Sequence, residues 1–149
     1  MGTSRKNRPS IPRVSTTELL LGLFSAVAIE LNERKTPNIH LGSSCDILHT
    51  LQQSSQFSHA LRYLDFNRIG DSWTSRALEG FFFQAGAWGF HRVPNPSMAT
   101  VTIPQPSAKE RFNEFKNLYG RKGTALVEKM AKAFLLNLED PQRSGKLAR

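Results

Sequence analysis

Residues 19–31, LLLGLFSAVAIEL, carry a single charge in thirteen positions. A stretch apolar nearly all round the helical period has no face to give to water, so it belongs at the centre of a domain. It falls short of the ~18 residues that suggest a membrane span, and no other run reaches that length. Its start is written ahead of it. Ser15-Thr16-Thr17-Glu18 is a capping box: the Ser15 hydroxyl can accept from the Glu18 N–H while Glu18 reaches back to the Ser15 N–H. Val14 and Leu19 stand as the hydrophobic staple across that start. The spacing predicts a helix from about Thr16 to Arg34, with Arg34 and Lys35 suiting its negative end and Pro37 preventing continuation.

The same stretch has the outline of a secretory signal, with basic residues ahead of an apolar run and Ala26-Val27-Ala28 as a small-x-small cleavage site. Glu18 abutting the apolar run and the complete capping box speak for a core helix instead. An organellar transit peptide is the other competing reading, since no acid precedes Glu18. With Lys6 where Ser or Thr is usual, N-myristoylation is disfavoured. On the core-helix reading the protein is cytoplasmic.

The chain of 149 residues has a net charge of +8, and its location matters more than its size. Residues 1–13 hold Arg5, Lys6, Arg8 and Arg13 with no acid, and residues 141–149 hold Arg143, Lys146 and Arg149 with none. The span 14–140 carries 13 basic and 12 acidic residues, so it is nearly neutral. Within it, residues 109–132 lean positive, with seven basic side chains against three acidic. Both ends read as disordered tails of a single domain, 14–140, and basic tails attract polyanions without reading sequence. Ten Phe exclude a wholly disordered chain, and one Cys excludes a disulfide scaffold.

Along the body, Ser43-Ser44-Cys45-Asp46 predicts the start of a short helix to about Gln53, with Ile47, Leu48 and Leu51 inward. Phe57, Leu61 and Leu64 predict another over 58–66. Gly70-Asp71-Ser72 breaks the chain, and Trp73, Ala77, Phe81 and Ala85, four apart each time, predict a helix over 73–85 that Gly86 ends. The period then changes. Residues 87–93 and 98–103 flank Pro94-Asn95-Pro96-Ser97, and Val101 and Ile103 alternate with Thr100 and Thr102, which predicts a β-hairpin ended by Pro104 and Pro106. Ser107 with Glu110 is a second capping box. Ala108, Phe112, Phe115 and Tyr119 share one face of the helix it opens, Gly120 stops it, and a last helix runs from about Thr124 to Leu138. The expected fold is mainly α, five to six helices with one hairpin. Phe81, Phe112, Phe115 and Phe134 are expected in its core.

The chemistry-bearing residues do not assemble into a motif. His40, Cys45, His49 and His59 lie within twenty residues, but a second close Cys pair or a His-x₃₋₅-His is missing. A Cys45–His49 nucleophile pair lacks an identifiable orienting acid or oxyanion hole. No phosphate-binding glycine loop and no nucleophile elbow occurs. Asp65 and Asp71 flank Arg68 as in a solvated turn. No catalytic residue, metal or cofactor is expected. Phe83 points away from Phe81 and Ala85, so it is either a second core contact or an exposed interaction residue.

The order of elements over roughly 43–103 resembles a winged helix, with 73–85 as the third helix and 87–103 as the wing. That resemblance implies that helix 73–85 enters the major groove. The helix offers Arg76 and Gln84 as readers, with Thr74, Ser75 and an unfavourable Glu79, and its bulk is aromatic. Arg92, His91 and Asn95 on the wing would touch phosphates. The first expectation is therefore a non-enzymatic protein-interaction or regulatory module, a small adaptor subunit with a protein partner. The alternative is a winged-helix-like DNA- or RNA-binding regulator whose basic tails supply affinity.

Overall fold

The computed structural model describes residues 14–87, 89–91 and 100–139. Helix α1 (Thr16–Glu33) starts where the capping box places it, and Ser15 Oγ accepts from the Glu18 N–H at 3.1 Å. The Glu18 carboxylate accepts from the Tyr119 hydroxyl, so this cap also ties the helix to a distant one. At the other end Thr36 N–H donates to Leu31 O and Lys35 N–H to Asn32 O, a Schellman closure with Lys35 in the left-handed region at φ 63°.

Strand β1 (Asn38–His40) leads directly into α2 (Leu41–Gln52). This helix starts two residues before the expected Ser43, because His40 is its cap: the ring Nδ1 accepts from the Ser43 N–H at 3.2 Å, as a carboxylate oxygen would. The helix expected over 58–66 is a chain of turns instead. Its apolar face is as expected, with Phe57, Leu61 and Leu64 buried. The Gln52 amide donates to both Leu61 O and Leu64 O at 2.9 Å, so a side chain serves carbonyls there.

Strands β2 (Asn67–Ile69) and β3 (Ser72–Thr74) form an antiparallel hairpin at a place where the sequence reading expected only a break. Gly70-Asp71 is its two-residue turn, with Gly70 at φ 62° in the first central position, as a type II′ turn requires. Trp73 and Thr74 are therefore strand residues, and α3 (Arg76–Ala87) begins later than expected. Gly86 lies within it. The positive φ belongs to Gly89, at 78°, where Phe90 N–H donates to Ala85 O and Gly89 N–H to Gly86 O.

Strand β4 (Thr100–Thr102) has the expected alternation, with Val101 and Ile103 buried. Its partner differs. It pairs antiparallel with β1, Ile39 opposite Val101, and most of the expected hairpin partner beyond His91 lies outside the described residues. Ile39 and Val101 are buried opposite each other, and Asn32 Nδ2 ties the strand end to α1 by donating to Ile103 O at 2.9 Å. Arg92 and the Pro94–Ser97 loop lie outside the described residues. Pro104 and Pro106 do not merely end the strand. Helix α4 (Gln105–Glu139) starts there, with Pro106 in the first turn, where its missing N–H costs nothing. The helix leaves helical geometry at Gly120 (φ 67°, ψ −160°) and resumes at once, so the two expected C-terminal helices are two halves of one kinked element. Four helices thus replace the expected five to six among the described residues.

Helix α1 packs chiefly along α4. Phe24 is the hub, with ring centroids 4.9 Å from Phe82, 5.5 Å from Phe134 and 6.0 Å from Phe81. Gly22 lets the Phe115 ring lie directly on the α1 backbone, since a Cβ there would stand 2.7 Å from Phe115 Cδ2. Phe81, Phe112, Phe115 and Phe134 are all buried, as their spacing predicts.

Candidate interaction face on α3

Helix α3 is held at its first turn by two side chains. Ser75 Oγ accepts from the Leu78 N–H at 3.1 Å and donates to Asp65 Oδ1 at 3.2 Å, and that oxygen also accepts from the Ala77 N–H at 3.1 Å. Partial desolvation opposes ionisation of Asp65, but the Ala77 N–H and the other donors outweigh it and hold the carboxyl below its ordinary 3.8. The hairpin ahead of the helix is tied to α2 by the Trp73 N–H, which donates to Asp46 Oδ1 at 2.9 Å.

The inward side of α3 is Leu78, Phe81, Phe82 and Ala85, all buried. The outward side is Arg76, Glu79, Gly80, Phe83, Gln84 and Ala87, all exposed. Phe83 is 80% exposed, which settles its two expected placements in favour of the surface. Among the described residues no atom would meet a Cβ built on Gly80 within 4 Å, so none of them requires a glycine there.

His91, expected to reach outward from a wing, is buried under the end of this helix. Its Nε2 lies 2.6 Å from Phe82 O, and a Cβ on Gly86 would stand 3.1 Å from its Cε1. The ring packs on Phe82 because the chain turns back after Gly89. The structure thus brings Arg76 and Phe83 onto one face and separates His91 from them. Arg5, Lys6, Arg8, Arg13, Arg92 and Asn95 lie outside the described residues.

A second feature is a cleft of about 280 Å³ between α2 and the β2–β3 hairpin, lined by Asp46, His49, Arg68, Asp71 and Trp73 among others. His49 stacks on Trp73 at 3.8 Å with 13° between planes, and the Arg68 guanidinium lies 5.2 Å from the Trp73 ring centre. Arg68 Nε donates to Gly70 O at 3.1 Å, so it braces the turn, while Asp65, expected beside it, caps α3. Cys45 is buried, and burial pushes its thiol from 9.0 up to about 11 against the lowering effect of a backbone hydrogen bond from Ser75. The raised value keeps the Cys45 thiol protonated near neutral pH. Among the described residues no group of three His, Cys, Asp or Glu side chains converges as metal ligands, and no helix is long and apolar enough to cross a membrane.

The two-residue Gly70-Asp71 loop between short β-prone runs is itself a hairpin signal, which the four-residue spacing of Trp73, Ala77, Phe81 and Ala85 obscures. The cap formed by Asp65 and Ser75 had no local signal, since its partners are ten residues apart. Comparison with protein-family models, with curated proteins and with solved structures finds no match.

Proposed function

We propose that this chain is a non-enzymatic protein-interaction or regulatory module, a small adaptor subunit that engages a protein partner through the outward face of α3. The observation that carries the reading is Phe83, 80% exposed at the middle of a helix whose opposite side is built into the core. A large aromatic held on a rigid helix is the kind of anchor that dominates protein interfaces. The buried, protonated Cys45 supports a non-enzymatic role. Purification from the native host, with and without nuclease, tests the reading. A co-purifying protein should survive nuclease and be lost with Phe83→Ser. Co-purification of nucleic acid alone overturns it.

The pairing of β1 with β4 favours a second reading as a winged-helix-like DNA- or RNA-binding regulator. It brackets α2, α3 and the wing stretch with one small sheet. In that reading Arg76 and Gln84 face the nucleic acid, and Arg5, Lys6, Arg8, Arg13, Arg92 and Asn95 supply phosphate contacts.

A further inference from the structure

The exposed stripe along α3 is Arg76, Gly80, Phe83 and Ala87, at intervals of four, three and four residues. This is the spacing of a helix-packing seam. Its sizes run large, small, large, small. Read in the opposite direction the same stripe runs small, large, small, large, so each large residue meets a small one when two copies lie antiparallel. We infer that a second copy of this chain docks on α3, antiparallel and about a two-fold axis, with Phe83 of each copy seated on Gly80 of the other. This rests on the protein-module reading and names its partner.

Three observations fit that occupant. Gly80 weakens an exposed helix interior without serving any contact among the described residues, and a closely approaching second helix supplies a reason for it. The register sets Arg76 opposite Ala87 of the second copy, at the negative end of a helix whose last turn has no basic residue of its own. A parallel alignment would stack Phe83 on Phe83 and Arg76 on Arg76, so the stripe selects one direction. A two-fold contact of this kind is closed, with each pairing made twice. One 12-residue helix on its twin gives less than the ~800 Å² per partner of a stable interface, so the dimer is weak and dissociates on dilution.

Sedimentation of the full chain over a concentration series tests this. The mass should rise from 16.7 kDa toward twice that value. Phe83→Ser should weaken the association about tenfold or more, with an unchanged circular dichroism spectrum because the residue is exposed. Gly80→Gln should also weaken it while raising the melting temperature at low concentration by about 1–2 °C, which an idle glycine would not do. Arg76→Cys mixed with Ala87→Cys should form an inter-chain disulfide faster than either alone, with Cys45 too buried to compete. A chain that stays monomeric up to about 1 mM, or Gly80→Gln that leaves association unchanged, overturns the proposal. If it stays monomeric but still captures another protein through Phe83, only this inference falls. If it binds duplex nucleic acid and Arg76→Ala abolishes that, the module reading falls as well.

Discussion

Gly22, Lys35 and Cys45 each carry a consequence that follows from a single side chain. Gly22→Ala should destabilise the protein although alanine is the better helix former. The added methyl would lie 2.7–3.0 Å from three atoms of the buried Phe115 ring, and overpacking of this kind costs about 1–3 kcal/mol. Thermal unfolding should show the loss. Lys35 supplies the opposite case. It occupies the left-handed position of a Schellman closure that Gly89 fills at the end of α3. Lys35→Gly should therefore stabilise by about 1 kcal/mol, raising the melting temperature by about 2–4 °C. The Cys45 thiol is held at about 11 against 9.0, so the folded state keeps a proton that the unfolded state gives up first. Its contribution is complete below pH 9 and is lost as pH rises toward 11. Denaturant unfolding between these values should show falling stability, and Cys45→Ala should flatten that part of the profile.

Among the elements, α3 depends most on residues outside itself. Ser75→Ala removes a cap from Leu78 N–H and one of the donors to Asp65, and should cost about 1 kcal/mol. The Asp65 carboxyl is lowered in the folded state, so its stabilisation is present above pH 3.8 and is lost as pH falls through the folded value. Asp65→Asn should make acid unfolding less steep in that range. Neither change touches the outward stripe, so both should leave self-association intact at neutral pH. Helix α1 is the contrasting case. Its cap, its apolar run and its Pro37 stop are all local, which is why its bounds could be read to within a residue. Segment 58–66 has the right apolar spacing, and Ser54 Oγ caps the turn ahead of it by accepting from the Phe57 N–H at 3.3 Å, but it forms no helix where Gln52 takes the Leu61 and Leu64 carbonyls.

At the scale of the whole molecule, charge separates the two functional readings. Removing residues 1–13 and 141–149 takes away seven basic side chains and leaves 14–140 nearly neutral. Binding driven by phosphate neutralisation has a log-affinity against log-salt slope of about −0.9 per contact on duplex DNA. The slope for the full chain should collapse on that deletion, and the remaining body should show no preference among duplex sequences. Sequence preference that survives deletion and is erased by Arg76→Ala would establish the second reading.

What residues near one another in the chain could decide, the sequence by itself determined: the central helix, the mainly helical class, the core positions of Phe81, Phe112, Phe115 and Phe134, and the interruption at Gly120. Apolar spacing, capping residues and a glycine at positive φ act within a few residues, so they are visible without a fold. The partner of Thr100–Thr102, the Asp65–Ser75 cap, the burial of His91 and the exposure of Phe83 were decided by tertiary structure. A three-residue strand can pair wherever its apolar side chain finds cover, and Val101 is buried opposite Ile39. In the Phe81-Phe82-Phe83 run, the helix leaves one ring of three pointing outward, and only the packing of Phe81 and Phe82 against Phe24 shows which.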